Sequence, residues 1–245
     1  MTKPAFRLTE NMKSLPDFLQ PQAAPGTWES VFGLMPVGGR VLNAGAGRGG
    51  ISRLLHDAGY GVTSIDLHPD HFSAEGLECA YADLLQPLPF EAESFDTVIA
   101  VEVMEHLENP WLFFREAVRV LRPEGAFIFS SPNPANLASR LAFASEGVLP
   151  YFREESFIGC YHVTPIFPWA VENCCRTVNA RIEKIAYSRV DWPRRNDVPR
   201  HDDGRGLRRR MLDLLPLNRL TGEIACYLVR KTERVAEVEV GVHYR

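Results

Sequence analysis

Apolar positions along this chain follow two alternating patterns between residues 40 and 131. Short runs of strand length give way to segments whose apolar residues recur every three or four positions. RVLNA (40–44), GVTSID (61–66), LECAYAD (77–83), SFDTVIAVEV (94–103) and GAFIFSS (125–131) predict five strands. The fourth is almost continuously apolar, as a strand covered on both faces should be. Between them, residues 48–58 predict a helix with Ile51, Leu54, Leu55 and Ala58 on one face and Gly59 as its stop. Asn109 and Pro110 open another as N-cap and first residue, with Trp111, Phe114, Val118 and Leu121 along one stripe. Strand–helix alternation of this kind predicts an α/β fold with a parallel, doubly wound sheet.

Outside that stretch the pattern loosens. Residues 1–39 hold two short helical candidates, 10–20 and 27–35. In the second, Thr27 is placed to cap and Trp28, Val31, Phe32 and Met35 form a stripe. Residues 133–147 predict a helix, 150–168 an aromatic-rich loop, 168–179 a helix, 181–190 a strand and 223–231 a final strand. Residues 191–220 look inserted, and the tail after 231 reads as an edge strand or a flexible end. The expected organisation is one domain over 1–245: an N-terminal helical segment (1–39), a core (40–132), a cap (133–180) and an Arg-rich insertion (191–220).

Composition fits a chain with a real core: 245 residues, 45% hydrophobic and 24% charged. A net charge of −4 gives no whole-surface attraction to nucleic acid. The first residues lack the apolar core of a signal peptide, and no apolar run approaches the roughly 20 residues of a membrane-spanning helix. Five cysteines (79, 160, 174, 175, 226) with no CxxC pair read as reduced thiols, so a cytoplasmic location is expected. Cys174 and Cys175 are adjacent, and adjacent helical residues point to different faces.

Chemistry enters with VLNAGAGRGG (41–50). Gly45, Gly47 and Gly49 at alternate positions between a strand and a helix let the backbone turn sharply and approach a ligand. The following helix aims free N–H groups at the same place. Strand two ends in Asp66, roughly 20 residues on, where an acid accepts ribose hydroxyls. Strand three ends in Asp83 and Leu84, a carboxylate and a backbone N–H able to read an adenine edge. Alternatively, both aspartates cap the turns that follow them.

These residues carry a family resemblance. VLNAGAGRGG, VTSIDLHP, YADLLQPLPFEAESFDTVIAVEVMEHLENP and REAVRVLRPEGAFIFSSPN resemble the successive motifs of the class I S-adenosylmethionine-dependent methyltransferases over residues 38–134, with weaker likeness to about 190. The resemblance implies a Rossmann-like, seven-stranded, doubly wound sheet, strands one to five parallel and the final strand antiparallel between its neighbours, plus a small cap. It implies S-adenosylmethionine as cofactor. Gly45, Ala46 and Gly47 would lie along its methionine and ribose, Asp66 would hold the ribose, and Leu67 would lie against the adenine. Asp83 and Leu84 would read the adenine edge, and Val101 would supply backbone near the methionine. Asn43 departs from the pattern, since the family usually places an acid there. Asparagine keeps an acceptor oxygen but gives up the charge, an expected loss of about 1 kcal/mol in cofactor binding.

Methyl transfer from an activated sulfonium asks the protein to align an acceptor and, for some acceptors, to remove a proton. No dedicated nucleophile is needed. VEVMEHLENP sets Glu102, Glu105 and His106 at helical spacing on one face, and YHVTPIFPW supplies His162 from a covering loop. His106 and His162 are the candidate catalytic bases. The four residues are also a candidate divalent-metal set, resembling the ExxEH stretch and later histidine of small-RNA 2′-O-methyltransferases and some ubiquinone-pathway enzymes. EH after strand four also occurs widely without metal, so the expected assignment is no metal.

Phe143, Tyr151, Phe152, Phe157, Tyr161, Phe167 and Trp169 would line a pocket or form the small core of the cap. Arg189, Arg194, Arg195, Arg200, Arg205, Arg208, Arg209 and Arg210 form either a solvated insertion or a patch for phosphate or an anionic membrane surface. Nucleic acid ranks last, because basic charge is confined to this segment. The expected function is methyl transfer to a small or medium acceptor, an oxygen on a sugar, glycolipid precursor or phenolic ring. The rivals are a metal-assisted RNA 2′-O-methyltransferase and a non-catalytic cofactor-binding module. Oligomeric state is left open.

Overall fold

A computed structural model of the chain describes residues 8, 11, 14–19, 23, 26–188 and 218–233. Seven strands form one sheet: β1 (Arg40–Ala44), β2 (Gly61–Asp66), β3 (Cys79–Tyr81), β4 (Phe95–Ala100), β5 (Leu121–Pro132), β6 (Ala180–Tyr187) and β7 (Ile224–Lys231). Their order is β3-β2-β1-β4-β5-β7-β6. Strands β1 to β5 pair in parallel, and β7 runs antiparallel between β5 and β6. The order reverses beside β1, a switch point where open α/β sheets leave a crevice at the strands' carboxyl ends.

Helices cover both faces. They are α1 (Thr27–Phe32), α2 (Gly50–Asp57), α3 (Pro110–Val120), α4 (Leu137–Glu146), α5 (Glu154–Cys160), α6 (Pro168–Thr177) and α7 (Asn218–Thr221). Successive strand residues face opposite layers. Leu42, Val98, Phe127 and Phe129 join Phe113 and Phe114 of α3 in one core. Val41, Ile99 and Ile128 join Trp28, Phe32, Leu54 and Leu55 of α1 and α2 in the other. Both cores are fed by the near-continuous apolar runs of β4 and β5, which explains why neither strand alternates.

Several local expectations are corrected. Strand β4 ends at Ala100, not 103, because Glu102 adopts φ 53° and turns the chain out of the sheet. Strand β3 covers only three residues. Gly26 is the N-cap of α1, leaving Thr27 inside the helix, and Asn109 caps α3 by position without a side-chain hydrogen bond. The 150–168 stretch is not all loop: it contains a 3-10 turn at Pro150–Phe152 and helix α5. Mixed aromatic and acidic composition concealed that helix, since it has no buried stripe to read.

Cys174, Cys175 and Cys226 are buried free thiols, and burial pushes the Cys175 thiol up to about 12. Within the 10–20 candidate, the described residues 14–19 hold a 3-10 turn at Asp17–Leu19; the Arg189–Arg210 segment and the tail after residue 233 lie outside the described residues. No helix among the described residues is long and apolar enough to cross a membrane.

Candidate active site

The glycine loop follows β1 directly. Gly45 and Ala46 both donate their N–H groups to the Ile65 carbonyl on β2, at 2.9 and 3.1 Å. Gly45 has φ 72°, and a Cβ there would lie 2.5 Å from Val103 Cγ2, so the position demands glycine. Gly47 has φ 54°, but a Cβ there would meet nothing within 4 Å. Its backbone therefore borders open space, the cradle a nucleoside requires.

Asp66, at the end of β2, faces this loop. Its Oδ2 accepts the Gly47 N–H at 2.8 Å and its Oδ1 accepts the His68 N–H at 2.8 Å. A carboxylate offers about four lone-pair positions, so each oxygen keeps capacity for a hydroxyl. The Asp66 carbonyl accepts the Ala82 N–H at 2.9 Å, which brings the β3 end alongside. Asp83 Oδ1 caps the next turn through Leu85 N–H at 2.9 Å, with Oδ2 left unbonded among the described residues. Leu84 is buried, Leu67 is 50% exposed beside the loop's acid, and Val101 is buried just past β4. The bonds of Asp66 thus bring the glycine loop and the start of the segment after β3 together at the carboxyl ends of β1 to β3, and a free-valence carboxylate beside a bare backbone turn fits the ribose of an adenosyl group.

Asn43 sits otherwise. Its side chain is fully buried, and its Nδ2 donates to Ser52 Oγ at 2.9 Å, which in turn bonds Ser64 Oγ at 2.8 Å. Its Oδ1 is buried with no partner. The asparagine thus ties β1 to α2 and β2, beneath the loop rather than beside it.

Beyond β4 the four candidate ligands divide. Helical spacing would have grouped Glu102 with Glu105 and His106, but the left-handed turn at Glu102 breaks that spacing. Glu102 instead receives the Ser130 hydroxyl on Oε1 at 2.5 Å, while its N–H donates to Ser130 Oγ at 2.9 Å. Glu105 and His106 occupy a 3-10 turn at Met104–His106. Ligand atoms of Glu105, His106 and His162 all lie within 4.8 Å of one another. The two imidazole rings meet edge to face at 4.9 Å.

Burial holds the Glu105 carboxyl well above the usual carboxylate range, and the Glu102 charge pushes the same way; the Ser131 hydroxyl only partly opposes them. Neither Glu105 oxygen has a hydrogen bond that meets normal geometry. Burial lowers the His106 pKa, helped by the His162 charge and opposed by the carbonyls of Tyr161 and Cys160. The His162 ring bonds the Tyr151 carbonyl through Nδ1 at 2.9 Å. A carbonyl only accepts, so Nδ1 carries a proton, and in the neutral ring Nε2 bears the lone pair.

His162 is carried in by the cap and pinned there. Val163 and Thr164 donate N–H groups to the Glu105 carbonyl at 2.9 and 3.1 Å, and Thr164 Oγ1 donates to the Leu107 carbonyl at 2.7 Å. The α4–α5 part of the cap has little interior. Helix α4 buries only Ser139 and α5 buries nothing, while Phe143, Phe157, Tyr161 and Trp169 are all exposed. Phe152 lies 5.9 Å from the His162 ring, and Phe167 stacks on Trp169. Sequence reasoning missed Ser130 and Ser131. Their signal was present: two serines closing an otherwise apolar buried strand.

Residues 42–129 match the methyltransferase domain family. The chain is 34% identical over 118 residues to a ubiquinone biosynthesis O-methyltransferase of Xanthomonas axonopodis pv. citri, covering 44% of this chain and 49% of that one. It is 36% identical over 110 residues to a phthiotriol/phenolphthiotriol dimycocerosates methyltransferase of Mycobacterium leprae, covering 40% of each. The chain thus spans half or less of these relatives' length. A crystal structure of a SAM-dependent methyltransferase from Archaeoglobus fulgidus shares the fold, with TM-score 0.55 and 20% identity over 79% of this chain and 86% of that one.

Proposed function

We propose that this chain is an S-adenosylmethionine-dependent O-methyltransferase acting on a small or medium acceptor, a phenolic compound, sugar or glycolipid precursor. The observation that carries the reading is the Asp66 carboxylate bound to the Gly47 N–H, next to open space above a glycine loop at the sheet's switch point. Bound there, the cofactor would supply a methyl group on a sulfonium. The chain's part is to hold the donor with the loop, Asp66 and Asp83, and to accept the acceptor's proton. His162 Nε2, with its partner nitrogen fixed by Tyr151, and His106, kept neutral by burial, are the bases. The names of the two relatives favour a hydroxyl on a phenolic or lipid-linked acceptor.

Calorimetric titration with S-adenosylmethionine and S-adenosylhomocysteine, followed by transfer of labelled methyl to a panel of phenols, catechols and sugars, tests the reading. Saturable binding and O-methylated product are expected. Binding without transfer would favour a non-catalytic module, and no binding at all would overturn the assignment.

One observation favours a second reading, a divalent cation on Glu105, His106 and His162. A carboxylate with two unbonded oxygens sits among two imidazoles within 4.8 Å. A cation there would lower an acceptor hydroxyl's pKa. Glu102 lies apart from this group, so the four-ligand arrangement expected of an RNA 2′-O-methyltransferase lacks one member. Titration with zinc and manganese, repeated on Glu105→Gln, separates a cation site from a pair of bases.

A further inference from the structure

Glu102, two residues past β4, is a bulky residue held at φ 53°, a left-handed conformation that is strained for an L-residue. Something must hold it there. Ser130 does so from both sides: its oxygen receives the Glu102 N–H at 2.9 Å, and its hydroxyl proton goes to Glu102 Oε1 at 2.5 Å. Ser130 is itself immobilised, fully buried in β5 and paired with Cys226 of β7. Backbone and side chain of Glu102 are therefore bolted to the centre of the sheet.

The next residue shows what this achieves. Val103 packs against Gly45, with Cγ2 where a Gly45 Cβ would fall. Its carbonyl accepts the His106 N–H at 3.1 Å and so closes the turn that carries Glu105 and His106. Val103 thus touches both halves of the candidate site, and its place is set by the turn immediately before it.

We propose that Glu102 and Ser130 form a brace that fixes Val103 against the glycine loop, making them positioning residues for the methyl donor. The inference rests on the reading of the loop as the cofactor site. Glycine at 102 accepts the left-handed turn freely but offers no carboxyl, glutamine keeps an acceptor for the Ser130 hydroxyl, and alanine at 130 removes the pivot.

The test is calorimetric binding of S-adenosylhomocysteine to wild type, Glu102→Gly, Glu102→Gln and Ser130→Ala, well below each protein's melting temperature. Glu102→Gly and Ser130→Ala should each weaken binding about fivefold to tenfold, the worth of roughly one net hydrogen bond, with Glu102→Gln restoring it to within about threefold. A merely structural role would lower melting temperatures and leave the affinity of the folded protein unchanged. Unchanged affinity in Glu102→Gly overturns the brace, even if Ser130→Ala fails to fold. Wild type failing to bind at all overturns the cofactor reading on which the brace depends.

Discussion

The two halves of the sheet's carboxyl edge are built on different principles. On the side proposed to hold the donor, a bond joins Gly47 to Asp66, 19 residues apart, through main chain and one carboxylate. Loop N–H groups find partners within the same β1–α2–β2 unit. On the side proposed to meet the acceptor, Glu102 is bonded by Ser130, 28 residues on, and Leu107 by Thr164, 57 residues on. There neither Glu105 oxygen has a hydrogen bond of normal geometry among the described residues, and of α4 and α5 only Ser139 is buried. On the proposed reading, the side that would hold the constant donor is made by local backbone geometry, and the side that would meet the acceptor is assembled from distant pieces of chain.

Substitutions can break this contrast. The largest effect is expected on the acceptor side. His162→Ala should lower the rate of methyl transfer about 10²–10⁴-fold, the usual worth of a general base, with homocysteine-product affinity unchanged. Single-turnover label transfer beside calorimetry checks both, and equal loss of rate and affinity would erase the division between the halves. Asp66→Ala should do the reverse, weakening product binding by about 1.5–3 kcal/mol through loss of charge-assisted bonds. Calorimetry reads it directly.

Within the donor half, Gly45→Ala and Gly47→Ala should separate stability from binding. Alanine at 45 meets Val103 Cγ2, so chemical denaturation should show a loss of about 1–3 kcal/mol. Alanine at 47 meets no protein atom, so it should cost only about 1 kcal/mol of strain and act mainly on cofactor affinity.

A smaller, pH-dependent effect sharpens the acceptor side. The Glu105 pKa is raised, so its contribution to stability is present at low pH and lost as pH rises through the raised value. The His106 pKa is lowered, so its contribution is present above about 6.5 and lost as pH falls through the lowered value. Glu105→Gln mimics the protonated acid. Its melting temperature should exceed the wild type's at pH 8 by more than at pH 5, and an equal difference at both would show that Glu105 does not titrate with folding. The smallest change should come from Asn43→Asp. Side-chain chemistry alone favours it by about 1 kcal/mol in binding, yet the residue faces Ser52 in the interior. Affinity should move less than about fivefold, while a buried charge lowers the melting temperature.

Much of the fold was legible in residue pattern. Parallel strands covered on both faces must be apolar throughout, and α2 and α3 must show a stripe, so β1, β2, β4, β5 and both helices could be read. The glycine loop and Asp66 were legible for a related reason, since the backbone there needs residues without Cβ and an acid at a fixed distance. The grouping of Glu102 with Glu105 and His106 failed because helical spacing was assumed where one left-handed residue turns the chain. Helix α5 was missed because an element with no buried face leaves no periodic mark.

By itself, then, the sequence determined the alternation of strands and helices and the glycine loop with an acid at the end of strand two, consequences of burial and short-range backbone geometry. Tertiary structure alone decided that Asn43 turns inward and that Ser130 takes Glu102 away from the acid–imidazole group. Those outcomes depend on which distant polar atoms come within about 3 Å of each other, and hydrogen bonds over such separations leave no period in a chain.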